Sequence, residues 1–363
     1  MDAAQMSALP PLYAGWMDEF LGAPIPGEAP STCSDCAMCA PAGVPTDATL
    51  LYNPTTKCCT YLPRMWNFLA GRVLADHSPE SAAGRATLEL RLDAGVAVTP
   101  MGLEQTPIFT LHYAQARHHF GRVGTLRCPH YLAESGGLCG VWRHRESTCA
   151  TWFCKHERGA VGERFFNQLH WLLVSAEIAL ARWAVLELDI GTEALGLMLP
   201  LPTPQPTPMT PEDFDGRVDP HLYRRKWGHW AGREREFFAA AERLVGGLRW
   251  AEVRRIAGPE LQAHERLVKE AHGRLLSDVL PERLRAEPVK LEQQGPDLSR
   301  VSTYSHVDPL SVPNELIGVL HYFDGRTTTD AMQAIEDEER LRLEPALVRR
   351  LADFGILTEV ERG

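Results

Sequence analysis

Cysteine is absent from the last 209 of the chain's 363 residues, although nine stand before residue 155. An excess of basic residues is also missing: 37 Lys and Arg face 47 Asp and Glu, for a net charge of −10. That deficit excludes a non-specific nucleic-acid binder, which needs a basic surface to displace counterions from phosphate. Long uninterrupted apolar runs are lacking. The longest, Leu169 to Leu188, is broken by His170, Glu177, Arg182 and Glu187, which argues for a buried amphipathic helix and against a membrane span. The first residues, MDAAQMSALPPLYAGW, show no basic region followed by an apolar one, so a cytoplasmic location is expected. G-x-G-x-x-G, Walker, G-x-S-x-G and H-E-x-x-H motifs do not occur, and no catalytic residue is identified by motif.

What is present is concentrated at the front. Cys33, Cys36, Cys39, Cys58, Cys59, Cys128, Cys139, Cys149 and Cys154 fall within 122 positions. In a reducing compartment structural disulfides rarely persist, and a chain this long has no need of covalent staples. Metal or cluster ligation accounts better for nine clustered thiols.

The expected fold class is mainly α with small α+β parts. A cysteine-cluster metal-binding domain is expected over residues 1–195 and a Pro-rich linker over 196–213. A helical region at 214–283 and a winged-helix-like module at 284–363 complete the expected order. Residues 1 to about 60 contain many prolines and small residues, and loop geometry is expected around the first cysteines. Helices are expected over Leu62–Asp76 and Glu80–Asp93, then a long one from Val161 to about Ile190, with residues 95–128 ambiguous. In residues 199–211 six prolines alternate with other residues, the pattern of an extended spacer. Beyond it, helices are expected over Trp227–Val245 and Pro259–Leu280, then β alternation from Pro288 to Tyr304. The C-terminus reads helix (Asn314–Phe323), turn (Asp324-Gly325-Arg326), helix (Thr328–Ile335), helix (Glu344–Phe354) and strand (Ile356–Val360).

Cys33-Ser-Asp-Cys36-Ala-Met-Cys39 places three cysteines two residues apart, the spacing at which tight turns bring sulfurs onto one centre. Nine thiols suit two four-cysteine sites plus one spare, or a single site with structural leftovers. Zinc and iron–sulfur both accept four thiolates; the compact three-cysteine run favours iron–sulfur, of 4Fe–4S type. Arg145, a cation among thiols, is a candidate for cofactor contact, because nearby charge tunes a cluster's potential. His130, His144 and His156 lie among the cysteines and are read as ligands to a mixed site or as neighbours of one.

Over residues 33–154 the chain resembles the YkgJ-type cysteine-cluster family, described as zinc- or iron-chelating. The carriers are the C-x-x-C-x-x-C run and the later set Cys139, Trp142, Arg145 and Cys149. Ala40 stands where that family has the second cysteine of a doublet, and Glu146 where it has proline; a doublet occurs instead at Cys58-Cys59. Residues 285–361 resemble, more loosely, a PqqD-like peptide-recognition module of winged-helix type. The carriers are Leu316-Ile-Gly-Val-Leu320, Phe323-Asp-Gly-Arg-Thr327 and the segment from Leu347 to Leu357. That resemblance implies a peptide or protein partner. Its net charge of −5 over residues 312–363 disfavours DNA. The expected function is a cytoplasmic holder of one or two thiolate-ligated iron–sulfur centres with a redox or maturation role. The alternatives are a structural zinc protein that binds a partner and an iron-dependent peptide-modifying enzyme.

Overall fold

The computed structural model describes residues 9–28, 33, 36–39, 51–198 and 218–360. The Pro-rich spacer lies outside the described residues. The fold is mainly helical with small antiparallel sheets, as expected from the sequence. It divides into two compact units. One comprises residues 1–27, 32–152 and 170–265; the other comprises 28–31, 153–169 and 266–363. These cut the chain differently from the boundaries read off the sequence, because the helices between 220 and 257 belong with the first unit.

The first unit begins with α1 (Pro11–Leu21), for which no element was expected. Its Leu12, Tyr13, Trp16, Met17 and Phe20 recur on one face and are all buried, and Gly22 ends it in the left-handed conformation at φ 64°. Next come the two-residue strand β1 (Met65–Trp66), α2 (Asn67–Ala75) and α3 (Ala82–Ala94). β1 takes the first residues of the first expected helix by pairing with β3 (Gly102–Leu103), which also pairs with β2 (Val98–Thr99). The ambiguous stretch then yields α4 (Pro107–Ala116). Thr106 caps it, its hydroxyl accepting the Phe109 N–H at 3.2 Å, with proline in the first turn. The hairpin of β4 (Tyr131–Leu132) and β5 (Leu138–Cys139) and the one-turn α5 (Ser147–Thr151) follow.

The long α6 (Gly159–Glu187) fulfils the strongest helical expectation. By length and hydropathy it could cross a bilayer, and half of its most apolar window is buried. α7 (Thr192–Met198), α8 (Pro220–Trp227), α9 (Glu234–Val245) and α10 (Trp250–Ala257) complete this unit. The single helix expected over Trp227–Val245 is interrupted. Gly228 adopts φ 54°, and a Cβ there would sit 2.0 Å from the Ile190 carbonyl, so the chain turns at this glycine.

α11 (Pro259–Leu276) leads to the second unit's sheets, β10–β6–β11 and β7–β8–β9, both antiparallel. The strands are β6 (Arg283–Ala286), β7 (Lys290–Gln293), β8 (Leu298–Ser302), β9 (Leu310–Pro313), β10 (Asp324–Thr327) and β11 (Leu357–Glu359). With α12 (Asn314–Gly318), α13 (Thr328–Glu339) and α14 (Pro345–Asp353) they enclose a core that includes Leu284, Val301, Val312, Phe323, Ile335, Leu351 and Ile356. The Asp324-Gly325-Arg326 turn is built into strand β10 as an irregularity. Asp324 accepts the Arg326 N–H at 2.9 Å, Gly325 takes φ 102°, and the register with β6 shifts there.

The hairpin is seated by close backbone contact. A Cβ on Gly84 would lie 2.0 Å from the Gly140 carbonyl, one residue beyond Cys139. Gly84→Ala is therefore expected to destabilise the unit by about 1–3 kcal/mol through forced displacement of the hairpin. A thermal midpoint unchanged by the substitution would refute this seating.

Candidate functional site

Four chain segments carry the cysteines of the first unit, and specific hydrogen bonds tie them together. The Cys39 N–H donates to the Cys36 carbonyl at 2.9 Å, closing a turn in the C-x-x-C-x-x-C run. That run is held to the Cys58-Cys59 segment by Tyr52, whose N–H donates to the Met38 carbonyl at 2.9 Å. Lys57, at φ 49°, donates its ammonium to the Cys33 carbonyl and, at 2.8 Å, to the Gly136 carbonyl. It thus joins the first run, the doublet and the hairpin. The Cys128 N–H donates to the Cys59 carbonyl at 2.8 Å, and β4–β5 pairing sets Cys139 opposite Tyr131.

Cys149 rides on α5, whose N-cap is Glu146. The carboxylate accepts N–H groups from Thr148 (2.8 Å) and Cys149 (2.9 Å). This gives the acid at position 146 a structural role. Glu146→Ala should cost about 1–2 kcal/mol and loosen Cys149; Glu146→Gln, which keeps an acceptor, should cost less. Equal thermal midpoints for the two variants would refute the capping role.

All nine cysteines are free thiols. Cys128 is buried and the others are partly covered. Eight of them, from Cys33 to Cys149, feel one another electrostatically. Burial and Cys58 push the Cys33 thiol up to about 12. Burial and Cys36 do the same for Cys39, and burial and Cys139 for Cys128, each to about 12. Burial raises Cys139 to about 11. Cys149 is raised well above its usual value by burial, then by Glu146, Cys139 and Cys128. Contact with the Cys59 thiol, then burial, raises Cys58. Contact with Cys58 lowers Cys59, but burial and the neighbouring Cys128, Cys139 and Cys149 raise it overall. Adjacent side chains of an extended segment would diverge. The doublet lies in turns instead, and its two sulfurs touch. Cys154 falls within the second unit.

Among the described residues no three Cys, His, Asp or Glu side chains already converge tightly enough to hold a metal ion. The donor set suits soft metals: eight sulfurs on mutually anchored loops, with two buried cations, Lys57 and Arg145, beside them. The guanidinium is that of Arg145. It is buried, lies 3.6 Å above the Trp142 ring, and donates to the carbonyls of Cys149 (3.0 Å) and Trp142 (2.7 Å). Burial lowers its pKa, while Cys139, Cys33 and Cys149 act to raise it.

The histidines divide. His130 is buried, with Nδ1 2.8 Å from the Thr87 hydroxyl, and burial and Arg91 bring it down to about 4, so it is neutral. His144 holds Asp76 through Nε2 at 2.7 Å, and Asp76 also accepts from Ser81 at 2.7 Å. His156 belongs to the second unit, 3.6 Å from the Glu28 carboxylate.

Sequence reasoning noted Glu177 only as a break in an apolar run, and it is the hub behind α5. Its buried carboxyl receives the Tyr13 hydroxyl, the Trp66 Nε1–H (3.0 Å), the Ser147 N–H (2.8 Å) and the Ser147 hydroxyl (2.6 Å). Burial and the nearby Glu146 outweigh these donors and push it up to about 8. The available signal was a lone acid in the interior of a long apolar helix. No family model, no curated protein and no solved structure matches the chain.

Proposed function

We propose that the first unit is a holder of thiolate-ligated iron–sulfur, in one or two centres, with a redox or maturation role. The observation that carries this reading is the gathering of eight cysteines, from positions 33 to 149, into one electrostatically continuous group on cross-tied loops. Neutral thiols packed together gain little, since a thiol is a weak hydrogen-bonding group. Bound metal would turn their mutual proximity into ligation. Cys33, Cys36, Cys39, Cys58, Cys59, Cys128, Cys139 and Cys149 would hold it, and an iron–sulfur group so held supplies one-electron chemistry.

The chain's own contributions follow from its contacts. Lys57 and the Cys59–Cys128 backbone bond fix the spacing of the loops. Arg145 offsets negative charge among the sulfurs, and Trp142 beneath it limits access of water. For the second unit, a peptide or protein partner agrees with the fully exposed edge strand β7, since an open strand edge can accept another strand.

Electron paramagnetic resonance of anaerobic protein reduced with dithionite tests the reading. A signal from a reduced cluster is expected, and Arg145→Gln should shift the midpoint potential while leaving iron content intact. Spectra without any paramagnetic species, from protein that carries zinc, would replace it with a metal that only completes the fold.

A further inference from the structure

The surface over the thiol group differs in charge from the rest of the chain. From Gln105 to Ala133 there is no acidic residue, but Arg117, Arg122 and Arg127 occur, in a chain of net charge −10. Arg117 and Arg127 are exposed. α4, at the start of this stretch, carries Ile108, Phe109, Leu111 and Tyr113, yet buries none of its residues completely, and Leu111 is 39% exposed. An apolar helix left open beside arginines is the composition of a protein interface, where aromatic residues and arginine are enriched.

Two aromatic tracks lead inward from this face. Trp152, 54% exposed, packs edge-on to Phe120 with centroids 5.7 Å apart. Phe120 packs in the same manner on Tyr52 at 5.7 Å, and Tyr52 is bonded to the Cys33–Cys39 run through Met38. On α4, Tyr113 packs on Tyr61 at 5.4 Å, and Cys149 is among the groups that raise the Tyr61 hydroxyl. One track thus ends in a backbone hydrogen bond to the first cysteine run, and the other on a tyrosine within electrostatic reach of Cys149.

We infer that this face, α4 with Arg117, Arg127 and Trp152, is the docking surface for an acidic electron-carrier protein. The inference rests on the redox reading given above. Charge complementarity selects the partner: a carrier with an acidic patch is attracted here and repelled by the remainder of this acidic chain, which fixes its orientation. A nucleic acid fits less well. Its continuous phosphates call for an extended basic track, and only two arginines are exposed here.

The test is stopped-flow oxidation of dithionite-reduced plant-type ferredoxin, an acidic one-electron protein, by the anaerobically purified full chain. The second-order rate constant should fall at least about tenfold between low and high salt, and by a similar factor in Arg117→Glu/Arg127→Glu at low salt. Reduction of the same variant by dithionite alone should be unchanged, which guards against misfolding. A ferredoxin rate insensitive to salt or to charge reversal overturns the docking face and leaves the redox reading standing. Protein with no dithionite-bleachable chromophore overturns both. Oligo(dT) binding that the same charge reversal abolishes, in the absence of salt-dependent ferredoxin transfer, assigns the face to nucleic acid and overturns the inference.

Discussion

Protein carrying Cys58→Ser and Cys59→Ser together is expected to lose at least about half of its metal and to melt at least about 10 °C lower than the unmodified chain. The doublet sits at the junction of the thiol group. Cys58 and Cys59 interact directly. Cys58 lies within electrostatic reach of Cys33, Cys36, Cys39, Cys128, Cys139 and Cys149, and Cys59 of the last three. Removing both therefore takes two donors from the middle of the group. Metal binding and folding are linked, so a site that loses its donors also loses the stabilisation that binding supplied. Metal content per chain by atomic emission, with the thermal midpoint of the same preparation, decides it. Unchanged stoichiometry would show that the doublet is not ligating.

Replacing Glu177 should produce the largest effect among residues outside the thiol group. Glu177→Leu removes the acceptor for the Trp66 Nε1–H, the Ser147 N–H and the Tyr13 hydroxyl, all buried. Each orphaned donor costs about 1–3 kcal/mol, so a loss of about 3–9 kcal/mol is expected for the three. Glu177→Gln keeps an acceptor oxygen and should be far milder.

The carboxyl also sets a pH dependence whose sign is fixed. Its folded value, about 8, lies above the ordinary 4.5 of a glutamate, so the folded state binds the proton more tightly than the unfolded state. Its contribution is fully present below pH 4.5 and is lost as the pH rises through about 8. When protonated, Glu177 can turn its proton towards the Tyr13 or Ser147 hydroxyl, both of which can accept, and still receive the Trp66 and Ser147 N–H groups. Tyr13 is itself raised well above its usual value, by burial and by Glu177, and does not titrate in this window. Thermal midpoints should fall from pH 5 to pH 8 in the unmodified chain and less in Glu177→Gln; identical slopes would contradict the assignment.

Much of the helical content was legible because it is amphipathic or long. The helices over 67–75, 82–94, 159–187, 259–276 and 345–353 all appear within a few residues of their expected spans. α4 was not legible by periodicity because it has no buried face to generate one; its only local signal is the Thr106-Pro107 cap. α1 was obscured by its proline-rich surroundings, although its own apolar spacing is regular. The break between α8 and α9 depends on a close approach between Gly228 and Ile190, which no local pattern encodes.

At the site, the sequence yields the thiols and Arg145 but not their supports. The roles of Lys57 and Glu177 arise from contacts over 24 to 164 positions, and that of Glu146 from a local cap. Cys58 and Cys59 lie in a series of turns rather than a strand, so the opposed facing of neighbours in an extended segment does not apply to them.

The central claim concerns what those eight sulfurs hold. The most direct measurement is the amount of iron and of acid-labile sulfide per chain in protein purified without exposure to air. The account predicts brown protein with iron and sulfide in comparable amounts, at about four of each per centre for 4Fe–4S. Colourless protein that carries zinc and no labile sulfide would contradict it.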